Sequence, residues 1–160
     1  MSAVIAQRSW LRMLVLAVLV VGLDQATKGI VRGSLAPGEH EDLILGFDLV
    51  YVSNSGIAFG ALEGAADGIV LAVTAVALAL IVGWFALAGE HRGMWVGVGL
   101  LVGGAIGNLI DRLRLDAVTD FIDPPMWPAF NVADVAITFG VVILVLAALA
   151  PATTSDGAPG

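Results

Sequence analysis

The sequence predicts a membrane-embedded, all-α protein: a bundle of four transmembrane helices with a small antiparallel sheet at one surface. Three observations lead there. Of 160 residues, 59% are hydrophobic and only 13% charged, and the mean hydropathy is +0.97, too apolar for a soluble domain. Four runs, Met13 to Val31, Ile69 to Ala88, Met94 to Ile110 and Val132 to Ala150, approach the roughly 20 apolar residues that cross a hydrocarbon core. Between the first and second runs the hydrophobic period switches from helical to alternating.

The first run is preceded by Arg8 and Arg12, which favour a cytoplasmic N-terminus and, with four spans, a cytoplasmic C-terminus. No A-x-A-like cleavage signal follows the apolar stretch. It continues instead through Asp24-Gln25-Ala26-Thr27-Lys28, so the span is expected to be retained. Asp24 lies about 16 Å of helix beyond Met13, still within the outer leaflet. Lys28 stands one turn on, and ionisable groups at that depth usually line a cavity.

From Glu39 to Leu62 the reading is a surface sheet. Leu43, Leu45, Phe47, Leu49 and Tyr51 alternate with Asp42 and Asp48 on the other face, predicting one half-buried strand. Asn54-Ser55-Gly56 supplies a turn, and Ile57-Ala58-Phe59 a second short strand. Asn54 suits either a turn or a site, because such a side chain commonly serves its own backbone.

The second span carries only Thr74 as a polar side chain and reads as scaffold. In the third, Gly99, Gly103 and Gly107 recur every four residues, a seam for close helix approach. On the adjacent stripe Gly104, Asn108 and Arg112 place an amide and a guanidinium one turn apart. Asp111 or Asp116 is available to neutralise Arg112.

The connection Leu115 to Phe130 is kept from helix by Asp123-Pro124-Pro125 and Trp127-Pro128. Val118 to Ile122 is expected to be extended, with Val118, Asp120 and Ile122 on one face. Trp127 and Phe130 fit an interfacial aromatic belt. Asn131 is an N-cap for the last span, which makes Asp134 its N3 residue, where the helix dipole favours an anion. The segment Pro151 to Gly160 is small, polar and Pro/Gly-bearing, and is expected to be a disordered tail after a single domain over residues 1–150.

Charge and composition exclude other classes. With 7 basic and 14 acidic residues the formal charge is -7, which disfavours nucleic acid and a polybasic grip on lipid. No cysteine is present, so disulfides and thiolate metal sites are excluded. His40 and His91 have no partner at ligand spacing, and neither metal nor cofactor is expected.

Asp24-Gln-Ala-Thr-Lys28, Asn54-Ser-Gly-Ile-Ala-Phe59, Gly103-Gly-Ala-Ile-Gly-Asn-Leu-Ile-Asp-Arg112, Val118-Thr-Asp-Phe121 and Phe130-Asn-Val-Ala-Asp134 resemble, in order, the motif blocks of signal peptidase II, the bacterial lipoprotein signal peptidase family. The resemblance implies an aspartyl endopeptidase of the inner membrane with four transmembrane helices and an extracytoplasmic β-cradle. It implies cleavage of diacylglyceryl-modified prolipoproteins before the lipidated cysteine, and inhibition by globomycin-type cyclic peptides. Carried over by position, Asp120 and Asp134 match the catalytic pair, while Asp24, Lys28, Asn54, Asn108, Arg112 and Asn131 match residues that bind substrate or brace the site. Only 13 residues separate the two aspartates, fewer than in many family members, which bears on any lid this segment forms.

Such chemistry needs no metal or thiol. Two adjacent carboxyls share a proton because both cannot ionise cheaply; one activates water and the other protonates the carbonyl oxygen and then the leaving amine. Asn54, Asn108, Asn131 and Arg112 are available to hold the scissile strand or the oxyanion. The expected enzyme is a monomer that meets membrane lipid and prolipoprotein signal peptides near the outer face. The alternative is a proton- or ion-coupled carrier using the same acids, but no charged or amide side chain occupies the cytoplasmic halves of the second or fourth spans.

Overall fold

The computed structural model describes residues 2–43, 46–55, 65–87 and 93–150. In chain order they form α1 (Ser2–Ser34), β1 (His40–Asp42), β2 (Asp48–Asn54), α2 (Ala65–Leu87), α3 (Met94–Leu115), β3 (Val118–Asp123) and α4 (Val132–Leu149). The expected strand at Ile57 to Phe59 and the expected tail at Pro151 to Gly160 lie outside the described residues. Among the described residues, Gln7–Ser34, Met94–Leu115 and Val132–Leu149 are long and apolar enough to cross a membrane. The described apolar part of α2, Ala72–Leu87, is shorter.

Helix α3 is the axis of the bundle, and glycine decides what approaches it. A Cβ on Gly103 would sit 2.8 Å from the Ala17 carbonyl oxygen of α1, and one on Gly99 would sit 3.0 Å from that of Met13. The predicted seam Gly99, Gly103, Gly107 therefore faces α1. Gly104 instead faces α4, where an added Cβ would lie 2.5 Å from the Ala133 carbonyl oxygen, and Gly140 of α4 approaches Gly97 in the same way. Two stripes of small residues on one helix thus set two neighbours at backbone contact.

At the end of the bundle that holds the N-terminus, Met13, Ala17, Phe85, Met94, Val98 and Val102 form an apolar core joining α1, α2 and α3. Trp10 meets Phe85 edge to face with ring centroids 4.9 Å apart, and the Arg12 guanidinium lies 5.9 Å over the Trp95 ring. Leu14, Val18 and Leu19 of α1 and Val145 and Leu146 of α4 stay exposed, an apolar exterior that suits lipid.

At the opposite end sits a three-stranded antiparallel sheet in the order β1-β2-β3. It departs from the expected single strand across residues 43–51. Gly46 adopts φ 79°, a left-handed conformation that glycine takes without steric cost, and the chain turns back there. His40 then pairs with Val50, Glu41 with Leu49 and Asp42 with Asp48. Val50 is fully buried and the expected Leu49 and Tyr51 pack, partly buried, against Val31, Leu35 and Phe121, whereas Leu43 and Phe47 on the other side of the turn are exposed, so the expected inward face holds only within β2.

The third strand is the expected extended segment after α3, which joins β2 directly. Asp48 pairs with Asp123 and Leu49 with Ile122, but Val52 pairs with Asp120 and Ser53 with Thr119. Between these pairs β2 carries one extra residue, a β-bulge. Phe121 packs with Val31 and Leu35, which fastens the sheet to the end of α1. Phe130 bridges back to Ile122, while Trp127 remains exposed at the proline-rich tip.

Candidate active site

The last helix begins with a complete capping box. Asn131 is extended at φ -132° and ψ -179°; its side-chain oxygen accepts the Asp134 N–H at 3.0 Å, and Asp134 Oδ2 accepts the Asn131 N–H at 3.2 Å. That exchange is local and follows from Asn at N-cap and Asp at N3. What is not local is the other half of the Asn131 side chain. Its Nδ2 donates to Asp120 Oδ1 at 2.6 Å, so one fully buried amide holds both aspartates.

Each aspartate has a second amide. Asn54 Nδ2 donates to Asp120 Oδ2 at 2.8 Å, and Asn108 Nδ2 donates to Asp134 Oδ1 at 2.8 Å. Asn54 reaches Asp120 because of the bulge. In the pairing beyond it, Val52 opposes Asp120 and Asn54 opposes Val118, so all four share a face. Without the extra residue the register would slip by one and Asn54 would point from the other face.

Beneath this pair lies a buried charge network. Lys28 and Asp24 are fully buried and 2.9 Å apart, the expected one-turn pair, drawn inward rather than out to the lipid surface. Gly107 makes the room, since a Cβ there would be 2.6 Å from Asp24 Oδ2. Asp24 Oδ1 accepts the Ala133 N–H at 2.9 Å, so α1 also satisfies an open donor in the first turn of α4. Lys28 Nζ donates to Asn108 Oδ1 at 2.8 Å. Because an ammonium only donates, this contact orients the Asn108 amide and turns its NH2 toward Asp134.

Asp111 completes the network. It is 1% exposed, with Oδ2 3.4 Å from Lys28 and Oδ1 3.6 Å from Arg32. Gln25 Nε2 donates to Asp111 Oδ1 at 3.1 Å and to the Gly107 carbonyl at 3.1 Å. Asp24 and Asp111 thus stand against Lys28 and Arg32, two charges against two. Of the two acids available to Arg112, neither Asp111 nor Asp116 pairs with it, and the half-buried Arg112 makes no ion pair among the described residues. The seam Gly99, Gly103, Gly107 continues by its own four-residue step to Asp111, the signal in the sequence that this carboxylate turns toward α1.

Burial pushes the Asp120 carboxyl above the usual carboxylate range. The hydrogen bonds from Asn54 and Asn131 oppose that rise, and the nearby Asp134 charge adds to it. All the expected residues except Arg112 are therefore joined by hydrogen bonds and ion pairs into one cluster, to which Gln25, Arg32, Asp111 and Thr119 are added. Elsewhere on the sheet, strand pairing brings His40 to Asp48 and Asp123, with one ligand-type atom from each within 4.8 Å and His40 Nδ1 3.9 Å from Asp123 Oδ2. Sequence spacing did not reveal that grouping, because the partners come from three different strands.

A family model described as signal peptidase (SPase) II matches residues 16–150. The lipoprotein signal peptidase of Moorella thermoacetica is 41% identical over 140 residues, covering 87% of this chain and 93% of its own. That of Gloeobacter violaceus is 43% identical over 138 residues, covering 83% and 79%. A bacterial membrane enzyme solved by the in meso method at 1.9 Å resolution superposes with a TM-score of 0.81 at 33% identity, covering 88% of this chain and 94% of that one.

Proposed function

The chain belongs to the signal peptidase II family, and from that premise we propose that it is an aspartyl endopeptidase with Asp120 and Asp134 as its catalytic pair. It is a multi-pass inner-membrane protein with lipoprotein signal peptidase function, and its substrates are prolipoproteins. The observation that carries the aspartyl reading is the Asn131 side chain, which bonds Asp120 with one end and the backbone of Asp134 with the other. Two carboxyls held through one rigid amide can share a proton and act on one water.

Asp134, at the positive end of α4, takes a proton from water, whose oxygen attacks the scissile carbonyl. Asp120, whose carboxyl burial pushes above its ordinary range, is assigned the acid's role and passes its proton to the carbonyl oxygen. The tetrahedral adduct collapses: the C–N bond breaks, the leaving amine takes the proton now on Asp134 rather than a second one from Asp120, and the Asp120 carboxylate recovers its proton from a hydroxyl of the adduct, which leaves as the carboxylic acid. Asn54, Asn108 and Asn131 give amide donors to the carboxyls, so their role is to brace the pair. Arg112, one turn beyond Asn108 and without an ion pair among the described residues, is assigned to substrate carbonyl oxygens.

Every site side chain lies at the sheet-bearing end of α1, α3 and α4, which supports a site at one membrane face, and among the described residues no polar path for a carrier leads from it. With α2 as the fourth span and Arg8 and Arg12 inside, that face is the outer one, the sheet is the β-cradle, and both termini are cytoplasmic. The substrate's acyl chains stay in lipid while its peptide enters the polar gap, and cleavage falls before the lipidated cysteine. One chain supplies the whole site, which supports a monomer.

The test is cleavage of a diacylglyceryl-prolipoprotein by the purified protein in detergent, read as a band shift. Asp120→Asn and Asp134→Asn should each abolish it, globomycin should block the wild type, and undiminished cleavage by either variant would remove the mechanism.

A further inference from the structure

Not every buried polar residue of this end touches the aspartates. Arg32 and Asp111 converge instead on Thr119, the residue before Asp120. Asp111 Oδ2 accepts the Thr119 N–H at 3.0 Å, and Arg32 Nη1 donates to Thr119 Oγ1 at 2.9 Å. Arg32 Nη1 and Asp111 Oδ1 lie 3.6 Å apart, so the two grips brace each other. Thr119 is 2% exposed.

Neutralisation alone does not require this arrangement. Lys28 already stands within ion-pair distance of both Asp24 and Asp111, and Arg32 is partly exposed, free to find water. The contact is explained by the strand. β3 is the edge of the sheet, and its bridge to Phe130 lies further along, at Ile122. At Thr119 no strand among the described residues lies along the outer edge to accept its N–H, so Asp111 supplies the acceptor, while Arg32 fixes the side chain on the same residue. A strand held by β2 alone could twist at this point and carry Asp120 with it.

We propose that Asp111 and Arg32 are positioning residues: they clamp Thr119 by backbone and side chain and thereby set Asp120 against Asp134. This rests on the assignment of Asp120 as a catalytic residue made above. Neither residue touches the reacting atoms. The clamp ties the outer ends of α1 and α3 to the strand that delivers the acid, so the helix packing set by the glycine seams is passed on to the site.

The experiment measures kcat and KM of the full chain in detergent with a diacylglyceryl-prolipoprotein, for Thr119→Val, Arg32→Gln, Arg32→Lys and Asp111→Asn, beside Asp120→Asn. Thr119→Val keeps the shape and the backbone N–H but loses the hydroxyl. Since a misplacement of about 1 Å costs roughly 10²-fold, Thr119→Val and Arg32→Gln should lose about tenfold in kcat with KM within about twofold. Arg32→Lys, which can still donate to the hydroxyl, should recover most of the loss, and Asp111→Asn, which keeps an oxygen to accept the Thr119 N–H, should retain more activity than Asp111→Ala, measured alongside.

If Thr119→Val and Arg32→Gln keep wild-type kcat while Asp120→Asn is inactive, the clamp is refuted and Asp120 keeps its role. A loss confined to KM refutes it equally, because that would put the pair in substrate binding. Cleavage by Asp120→Asn would overturn both readings. Should the Asp111 variants not fold, Thr119→Val and Arg32→Gln decide the matter alone.

Discussion

Asn54 shares a sheet face with Asp120 because β2 carries one residue more than β3 between Leu49 and Val52. The 2.8 Å bond from Asn54 Nδ2 to Asp120 Oδ2 is therefore a product of register. Deleting Tyr51 removes the extra residue and turns Asn54 to the opposite face. Cleavage by the deletion should fall at least as far as in Asn54→Ala, measured on the folded fraction. A deletion variant more active than Asn54→Ala would show that the bulge does not aim this side chain.

Lys28 is the central cation of the network, in contact with Asp24, Asp111 and Asn108. Lys28→Met leaves buried carboxylates without their counter-charge, a change that costs about 3–5 kcal/mol. Thermal unfolding in detergent should show a large fall in melting temperature. Adding Asp24→Asn to the same chain should restore part of it, since one uncompensated charge is then gone.

Gly104 and Gly29 make a matched pair for the packing argument. A Cβ on Gly104 meets the Ala133 carbonyl oxygen at 2.5 Å, whereas one on Gly29 meets nothing within 4 Å. Gly104→Ala should destabilise by about 1–3 kcal/mol, as overpacking does, and should weaken cleavage by moving the first turn of α4 away from Asn108. Gly29→Ala, in an open stretch of helix, should be neutral or stabilising by up to about 1 kcal/mol. Equal melting temperatures for the two variants would contradict the seam.

Asp120 gives a pH dependence of definite sign. Its carboxyl is pushed above the ordinary value of 3.8, so ionising it is harder in the folded chain than in the unfolded one. The resulting cost to stability is absent below that ordinary value and grows as pH rises through the raised one. Asp120→Asn, which cannot ionise, should therefore melt above the wild type at neutral pH. The difference should shrink on acidification toward pH 3.8; a gain that is constant with pH would point to packing instead.

Much of this protein is decided within short stretches of chain. The apolar lengths of three helices, the capping box of Asn131 and Asp134, the one-turn pair Asp24 and Lys28 and the glycine seam of α3 all depend on residues a few positions apart, where helical period and capping act. Those features are legible from the sequence, and so is the ordered set of motifs that marks the family. The turn at Gly46 is not legible in the same way, because alternation over residues 43–51 satisfies one strand as well as a hairpin, and the glycine that breaks it sits at a position the pattern ignores.

Three-dimensional packing decided the rest. Which face Asn54 occupies is counted against another strand, so a single extra residue in β2 reverses it. Whether Asp111 serves Arg112 or turns to Lys28, Arg32 and Thr119 depends on how closely α1 approaches α3, which glycine allows. The meeting of His40 with Asp48 and Asp123 likewise exists only once three strands are in register. Local order is set by neighbours along the chain, whereas partners in space are set by register and by the distance between helix backbones.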